Sequence, residues 1–234
     1  MADLLPAADV RAAEWLVGDI RSFAESVLSL VPSGFAEYVR IFHPGYRTVG
    51  AGEARPVRWA EIAAATGARM HAGAQLDAIN RGRYPSAPQP GIYDRGPVVG
   101  SLPRELARPL AAVLEAHTST PESCWFAVWD GYGAGRGSEV TEAPRFHLPN
   151  RDYHLLRGPI GALGEGMFEG LIWQSPNLCW PDDHAWCLAS EVDLYSTYVG
   201  CDEACRDAFL EEAAIEALPI DPSTGISFDS DTLN

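Results

Sequence analysis

Lysine is missing from this chain. All 17 basic side chains among its 234 residues are arginine, as expected where GC-rich coding replaces lysine codons with arginine codons. The absence excludes whole mechanisms. A Walker A loop needs a lysine on the β- and γ-phosphates. Protein-kinase chemistry needs its strand lysine, and pyridoxal catalysis needs an amine for the Schiff base. Long apolar stretches are missing too. No run of about 18 apolar residues is present, so no segment reads as a membrane-spanning helix. Asp3 and Asp9 stand near the start with no basic patch ahead of an apolar stretch. That pattern argues against a secretory signal and gives a cytoplasmic expectation. Neither a G-x-S-x-G elbow nor an H-E-x-x-H pair occurs.

Cysteine is sparse and odd in number. Cys124, Cys179, Cys187, Cys201 and Cys205 are irregularly spaced, without the paired knuckles of a zinc cluster. A chain of this length needs no disulfide staples, so these residues read as buried thiols.

What is abundant is negative charge. The formal net charge is −15, and it is unevenly spread. Residues 181–234 hold thirteen acids and one arginine, whereas residues 40–110 hold ten arginines and five acids. Such a surface repels phosphate backbones, so no nucleic-acid partner is expected.

Apolar residues make up 47% of the chain, enough for a real core. Residues 7–30 repeat apolar positions at helical spacing. Residues 35–43 alternate like a strand ended by Pro44-Gly45. Residues 57–66 read as a helix stopped by Gly67, and Ser101–His117 as a helix with Pro109 inside it. Ser123–Trp129 is apolar on both faces, the pattern of a strand in mid-sheet. Residues 144–157 and 168–199 read as hairpins. Asp202 should cap a helix over 203–217, stopped by Pro219. Residues 80–100 form an irregular Pro/Gly-rich loop, and 220–234 a polar, extended tail. Helices and hairpins without a βαβ rhythm predict one α+β domain over residues 1–234. Its mainly antiparallel sheet would carry N-terminal, central and C-terminal helices.

Several groups invite a chemical reading. With a turn at Pro149–Asp152, His147 pairs with His154 across the hairpin, and Glu191 or Asp193 could complete a metal site. The alternative is a plain cross-strand histidine pair. The glycine run at 131, 133, 135 and 137 follows a strand, but a second strand rather than a helix is expected after it, which argues against a phosphate loop. Asp182-Asp183 after Pro181 reads as a turn. Among the tryptophans, Trp180 beside that turn is the one expected to be half exposed if any is, the alternative being an ordinary packed ring.

SPNLCWPDDHAWCLASEVDLYSTYVG, LPRELARPLAAVLEAHTSTPESCWFAVWDGYG, FAEYVRIFHPG, VRWAEIAAATG and the ending DSDTLN resemble a family of actinobacterial proteins to which no activity is assigned. No functional residue transfers from it. The LPRELARPLAAVLEAHT helix leading into an aromatic strand is similar to the SUKH superfamily of immunity and scaffold proteins. That resemblance implies an α+β fold and an acidic surface that binds a partner protein.

The leading expectation is therefore a protein-binding module rather than an enzyme, without a cofactor. Its contact patch would contain Trp180, Asp182, Asp183, Glu203, Asp207 and Glu211. One alternative is a metal-dependent hydrolase or small-molecule enzyme built on His147, His154 and a nearby carboxylate. Another is a sensor that holds a small ligand between the sheet and the 80–100 loop.

Overall fold

The doubly apolar strand is the middle of the fold. In the computed structural model, which describes residues 4–50, 52–82, 84–85, 87–132, 138–167 and 173–234, β5 (Cys124–Trp129) runs between two antiparallel neighbours. These are β7 (Arg151–Gly158) and β8 (Leu178–Pro181). The sheet continues from β8 through β9 (Cys187–Ala189), β10 (Ser196–Cys201) and β2 (Glu37–Phe42) to β11 (Ala217–Pro219). On the other side, β1 (Leu5–Pro6) and β6 (Arg145–Leu148) both lie beside β7. A separate ribbon pairs β3 (Gly45–Val49) with β4 (Glu53–Val57). Six α-helices occur among the described residues, and the architecture is α+β around a mainly antiparallel sheet.

Strand alternation sends side chains to two cores. On one face, Phe126, Val128, Leu188, Val199, Val39 and Ile41 pack beneath α4 (Arg104–Ala116) and α6 (Glu203–Glu211). Leu106, Leu110 and Leu114 seat α4, which continues through Pro109. Trp186 is fully buried there and satisfies its ring N–H by donating to the Leu114 carbonyl at 3.0 Å. On the other face, Ala127, Leu155, Trp180, Ala189 and Tyr198 are covered without a long helix. The cover is α1 (Glu14–Asp19), the loop carrying Val27, Leu30 and Val31, and Ile220 and Ile226 of the tail. A third cluster joins Phe42 to α2 (Trp59–Thr66) and α3 (Leu76–Ile79) through Trp59, Ile62 and Leu76.

Several sequence expectations are corrected here. The helix expected over 7–30 is α1 alone. The Asp19 carboxylate accepts from both the backbone N–H and the hydroxyl of Ser33, and Ala24 turns the chain through a left-handed φ of 58°. The C-terminal helix, capped by Asp202 accepting from the Cys205 N–H, stops at Glu211 rather than 217. Residues 217–219 instead add an edge strand to β2. The expected hairpin over 168–199 is three short strands, with residues 168–172 outside the described residues. The tail is no free extension. Asp231 accepts from the Gln75 N–H and pairs with His71 at 3.1 Å, and Asn234 bonds Arg69 through both its oxygen and its nitrogen. The expectations for α2, capped by Gly67 at φ 71°, and for five buried free thiols agree with the structure.

Gly100 locks the loop before β10 to the start of α4. Its N–H donates to the Leu194 carbonyl, and its own carbonyl accepts from Tyr132 and Gln174. Its φ is +75°, and an added Cβ would lie 2.4 Å from the Val192 carbonyl oxygen. Backbone strain and a backbone clash coincide, so Gly100→Ala should lower stability by about 2 kcal/mol or more in urea unfolding.

Candidate functional site

β2 reads Glu-Tyr-Val-Arg-Ile-Phe, and its alternation puts Tyr38, Arg40 and Phe42 on one face. Arg40 is therefore carried into the sheet between Tyr198 of β10 and Leu218 of β11, and it is only 2% exposed. Nε donates to Ser196 Oγ at 3.0 Å. Nη1 donates to the carbonyls of Ala72 at 2.9 Å and Ala74 at 2.7 Å. Nη2 finds no acceptor, and no carboxylate forms an ion pair with this guanidinium among the described residues. Aromatic rings take part of the charge: Arg40 lies 4.8 Å from the ring centre of Phe42, 5.3 Å from Trp59 and 5.6 Å from Tyr198. Burial pushes the guanidinium below its ordinary pKa, with Tyr198 and Asp231 opposing through space. Asp231 commits its oxygens to Gln75, His71, Leu233 and Asn234.

Arg40 lines a cavity of about 250 Å³. Phe23, Trp59, Leu76, Tyr195 and Phe228 supply its apolar wall, and Asp77, Glu191 and Asp193 also border it. The wall is assembled from the N-terminal loop, β2, α2, α3, the loop before β10 and the tail. Glu191 and Asp193 are neutralised in part by Arg151, which bonds both at 2.9 Å. Asp77 makes no side-chain hydrogen bond or ion pair to another described residue, and burial raises its pKa. Glycine-like backbone at Ala24, beside Phe23, adds local strain to the same wall.

No family model matches the chain, and no curated protein or solved structure is similar to it.

The residues singled out from sequence do not converge. The hairpin turn is Pro149-Asn150, two residues, with Asn150 at φ 60°. It pairs His147 with Asp152 and His154 with Arg145, two residues away from the expected register. His147 is exposed and bonds the Asp152 carboxylate at 2.9 Å. His154 is buried, with Nδ1 on the Ala143 carbonyl and Nε2 on Asp130. Glu191 and Asp193 belong to the cavity, not to a histidine site. Among the described residues no three His, Cys, Asp or Glu side chains are grouped to hold a metal. Gly133, Gly135 and Gly137 lie outside the described residues, and the element that follows is a short helix, α5 (Ser138–Glu142), rather than the expected strand.

Trp180, expected to be half exposed, is fully buried against Trp15 and Phe146, because it faces the core that the N-terminal loop covers. Asp182 accepts from the Trp125 ring N–H and pairs with Arg157 at 2.9 Å. Asp183 shapes its turn: burial opposes its ionisation, but hydrogen bonds from Ser119, Thr118 and Ala185 outweigh it and hold its pKa down to about 2. Glu203, Asp207 and Glu211 are exposed on α6, without an aromatic side chain among them. The cavity does not involve the 80–100 loop either. Its central residue, Arg40, had one visible signal in the sequence: a lone cation in an alternating strand, on the same face as Tyr38 and Phe42.

Behind β2, on the α4 face, His43 anchors a buried polar chain. Nδ1 meets the Val98 carbonyl at 2.8 Å and Nε2 meets Thr197 Oγ1 at 2.9 Å, which in turn meets Ser190 Oγ at 2.6 Å. A ring N–H at Nδ1 leaves Nε2 to accept, so the neutral ring fits this chain. Burial, assisted by Arg40, lowers the His43 pKa from 6.5 to about 4. The folded value lies below the unfolded one, so the unfolded chain binds more protons between them. Stability is then lost as pH falls through that window, by up to about 3 kcal/mol. Urea unfolding of the wild type and of His43→Gln at several pH values from 7 to 4.5 should show the steeper loss in the wild type.

Proposed function

We propose that this protein binds a small organic carboxylate with an apolar body in the cavity at Arg40. One observation carries the reading: a guanidinium buried without a carboxylate partner, with a free donor nitrogen, in the wall of an apolar cavity. An uncompensated buried charge costs several kcal/mol. Three hydrogen bonds and three ring faces offset only part of that cost. A carboxylate that accepts from Nη2 completes the pairing, and the planar fork of arginine suits it better than an ammonium would. The cavity, slightly smaller than a drug-sized site, suits a compact ligand whose body contacts Leu76, Trp59 and Phe23.

A protein-binding role for the acidic surface would rest on the exposed face of α6, now that Trp180 is buried and Asp182 and Asp183 have partners within the chain. Charge without a buried aromatic or arginine anchor is a weak basis for an interface. The Arg40 cavity is therefore the favoured site. No histidine or cysteine lines it, and the one short hydroxyl–carboxylate bond on its wall, Ser227 to Asp229 at 2.7 Å, closes a local turn of the tail, so the reading is of binding rather than of turnover.

Titration calorimetry with hydrocinnamate and 4-methylpentanoate tests this. The wild type should bind at least one of them, and Arg40→Met should weaken that binding by about 30-fold or more while keeping the wild-type circular dichroism spectrum. Equal affinity in the variant rejects the site.

A further inference from the structure

With a carboxylate on Arg40, the charges on the rest of the wall decide what else the ligand carries. Three carboxylates, Asp77, Glu191 and Asp193, border the cavity. Two guanidiniums stand against them in the count: Arg40 on the same wall, and Arg151 through its bonds to Glu191 and Asp193. The site is thus already one negative charge in excess before any ligand arrives. A simple carboxylate deepens the excess, and like charges held in a partly desolvated space repel strongly. A ligand that brings its own cation does not.

We propose that the ligand is a zwitterion, an apolar amino acid or a close relative, with its carboxylate on Arg40 and its ammonium group at Asp77. This rests on the carboxylate reading of Arg40. Asp77 is the one bordering carboxylate that no arginine pairs with among the described residues. Glu191 and Asp193 share Arg151, so their charge is already partly met. Asp77 also acts through space on the hydroxyl of Tyr195, another wall residue, which places the two in one neighbourhood. The Tyr195 hydroxyl makes no hydrogen bond among the described residues and is available to the ligand.

The rings reinforce the assignment. An ammonium is attracted to the face of an aromatic ring. Two of the four wall rings are already engaged: Trp59 by Arg40 at 5.3 Å and Phe23 by Arg151 at 4.8 Å. Tyr195 and Phe228 have no cation over them among the described residues, and Phe228 is 74% exposed. Tyr195, one of the two rings without a cation, is the one in the neighbourhood of Asp77.

Calorimetry on the full chain with three matched sets of probes tests the proposal: phenylalanine and leucine, their deaminated carboxylates hydrocinnamate and 4-methylpentanoate, and their decarboxylated amines phenethylamine and isoamylamine. The amino acid should bind about tenfold or more tighter than the matching carboxylate, as for one charge-assisted hydrogen bond in a partly desolvated site. Asp77→Asn, nearly the same shape, should erase that advantage by weakening the amino acid, while the simple carboxylate binds as tightly as before or tighter because one repelling charge is gone. Arg40→Met should weaken both. If the carboxylate binds as tightly as the amino acid, or if Asp77→Asn weakens both equally, the zwitterion is wrong while the carboxylate site stands. If the amines bind and the carboxylates do not, or none of the six probes binds at millimolar concentration, both readings fall.

Discussion

A sheet whose inner strands are apolar on both faces must be covered twice, and that requirement organises this molecule. The α4 face meets it in the ordinary way, with amphipathic helices laid across the strands. The opposite face has no long helix to spend on Trp180, Tyr198, Ala189 and Leu155. It is closed by whatever the chain has left: a short helix, the loop around Val27 and Val31, and the C-terminal tail. Irregular segments fit a pleated surface less completely than a helix does, and they must satisfy their backbone groups one by one. The serines and aspartates of these segments do that work, Asp19 on Ser33 and Asp231 on Gln75 among them. The cavity lies where these covering pieces meet.

Arg40 makes sense only in that setting. In mid-strand, between Tyr198 and Leu218, it cannot reach solvent along the sheet. Its charge must be met from above by the segments that cover the face. They offer carbonyls from Ala72 and Ala74, and the neighbouring strand β10 adds the Ser196 hydroxyl, all dipoles and none a full charge. The acids of the wall are held elsewhere or left alone, Glu191 and Asp193 by Arg151 and Asp77 by nothing among the described residues, while Asp231, off the wall, is held by the tail clamp. Charge separation of this kind is costly in a low-dielectric interior and useful where a ligand supplies the complement. Directly behind, His43 shows the other solution to a buried polar group. Its ring is neutral at pH 7 and hydrogen-bonded at both nitrogens, to the Val98 carbonyl and through Thr197 to Ser190.

Where the sequence reading held, the cause was local. Gly67 ended α2 because a left-handed residue is needed there; Asp202 capped α6; Cys124–Trp129 was a central strand because both its faces are apolar. Where it failed, a distant partner had decided. The apolar spacing of residues 7–30 suits a helix, but those side chains were needed on a flat sheet. The acidic helix stopped six residues early because β2 offered an open edge to Ala217–Pro219. Trp180 looked exposed because it precedes a turn, yet alternation pointed it inward and Trp15 covered it. His147 and His154 missed each other because Asn150 could take a left-handed conformation and close a two-residue turn.

The chain's own residue order determined the class of fold, the central strand, the helix caps, the reading of the cysteines as buried thiols and the chemistries that a lysine-free protein cannot perform. Each of these depends on neighbours a few residues apart or on composition alone. The cavity was decided by tertiary structure. Phe23, Arg40, Asp77, Tyr195 and Phe228 come from five separate parts of the chain, and nothing in their spacing announces them. A buried charge is recognisable as uncompensated only once every group that might have compensated it has been located in space.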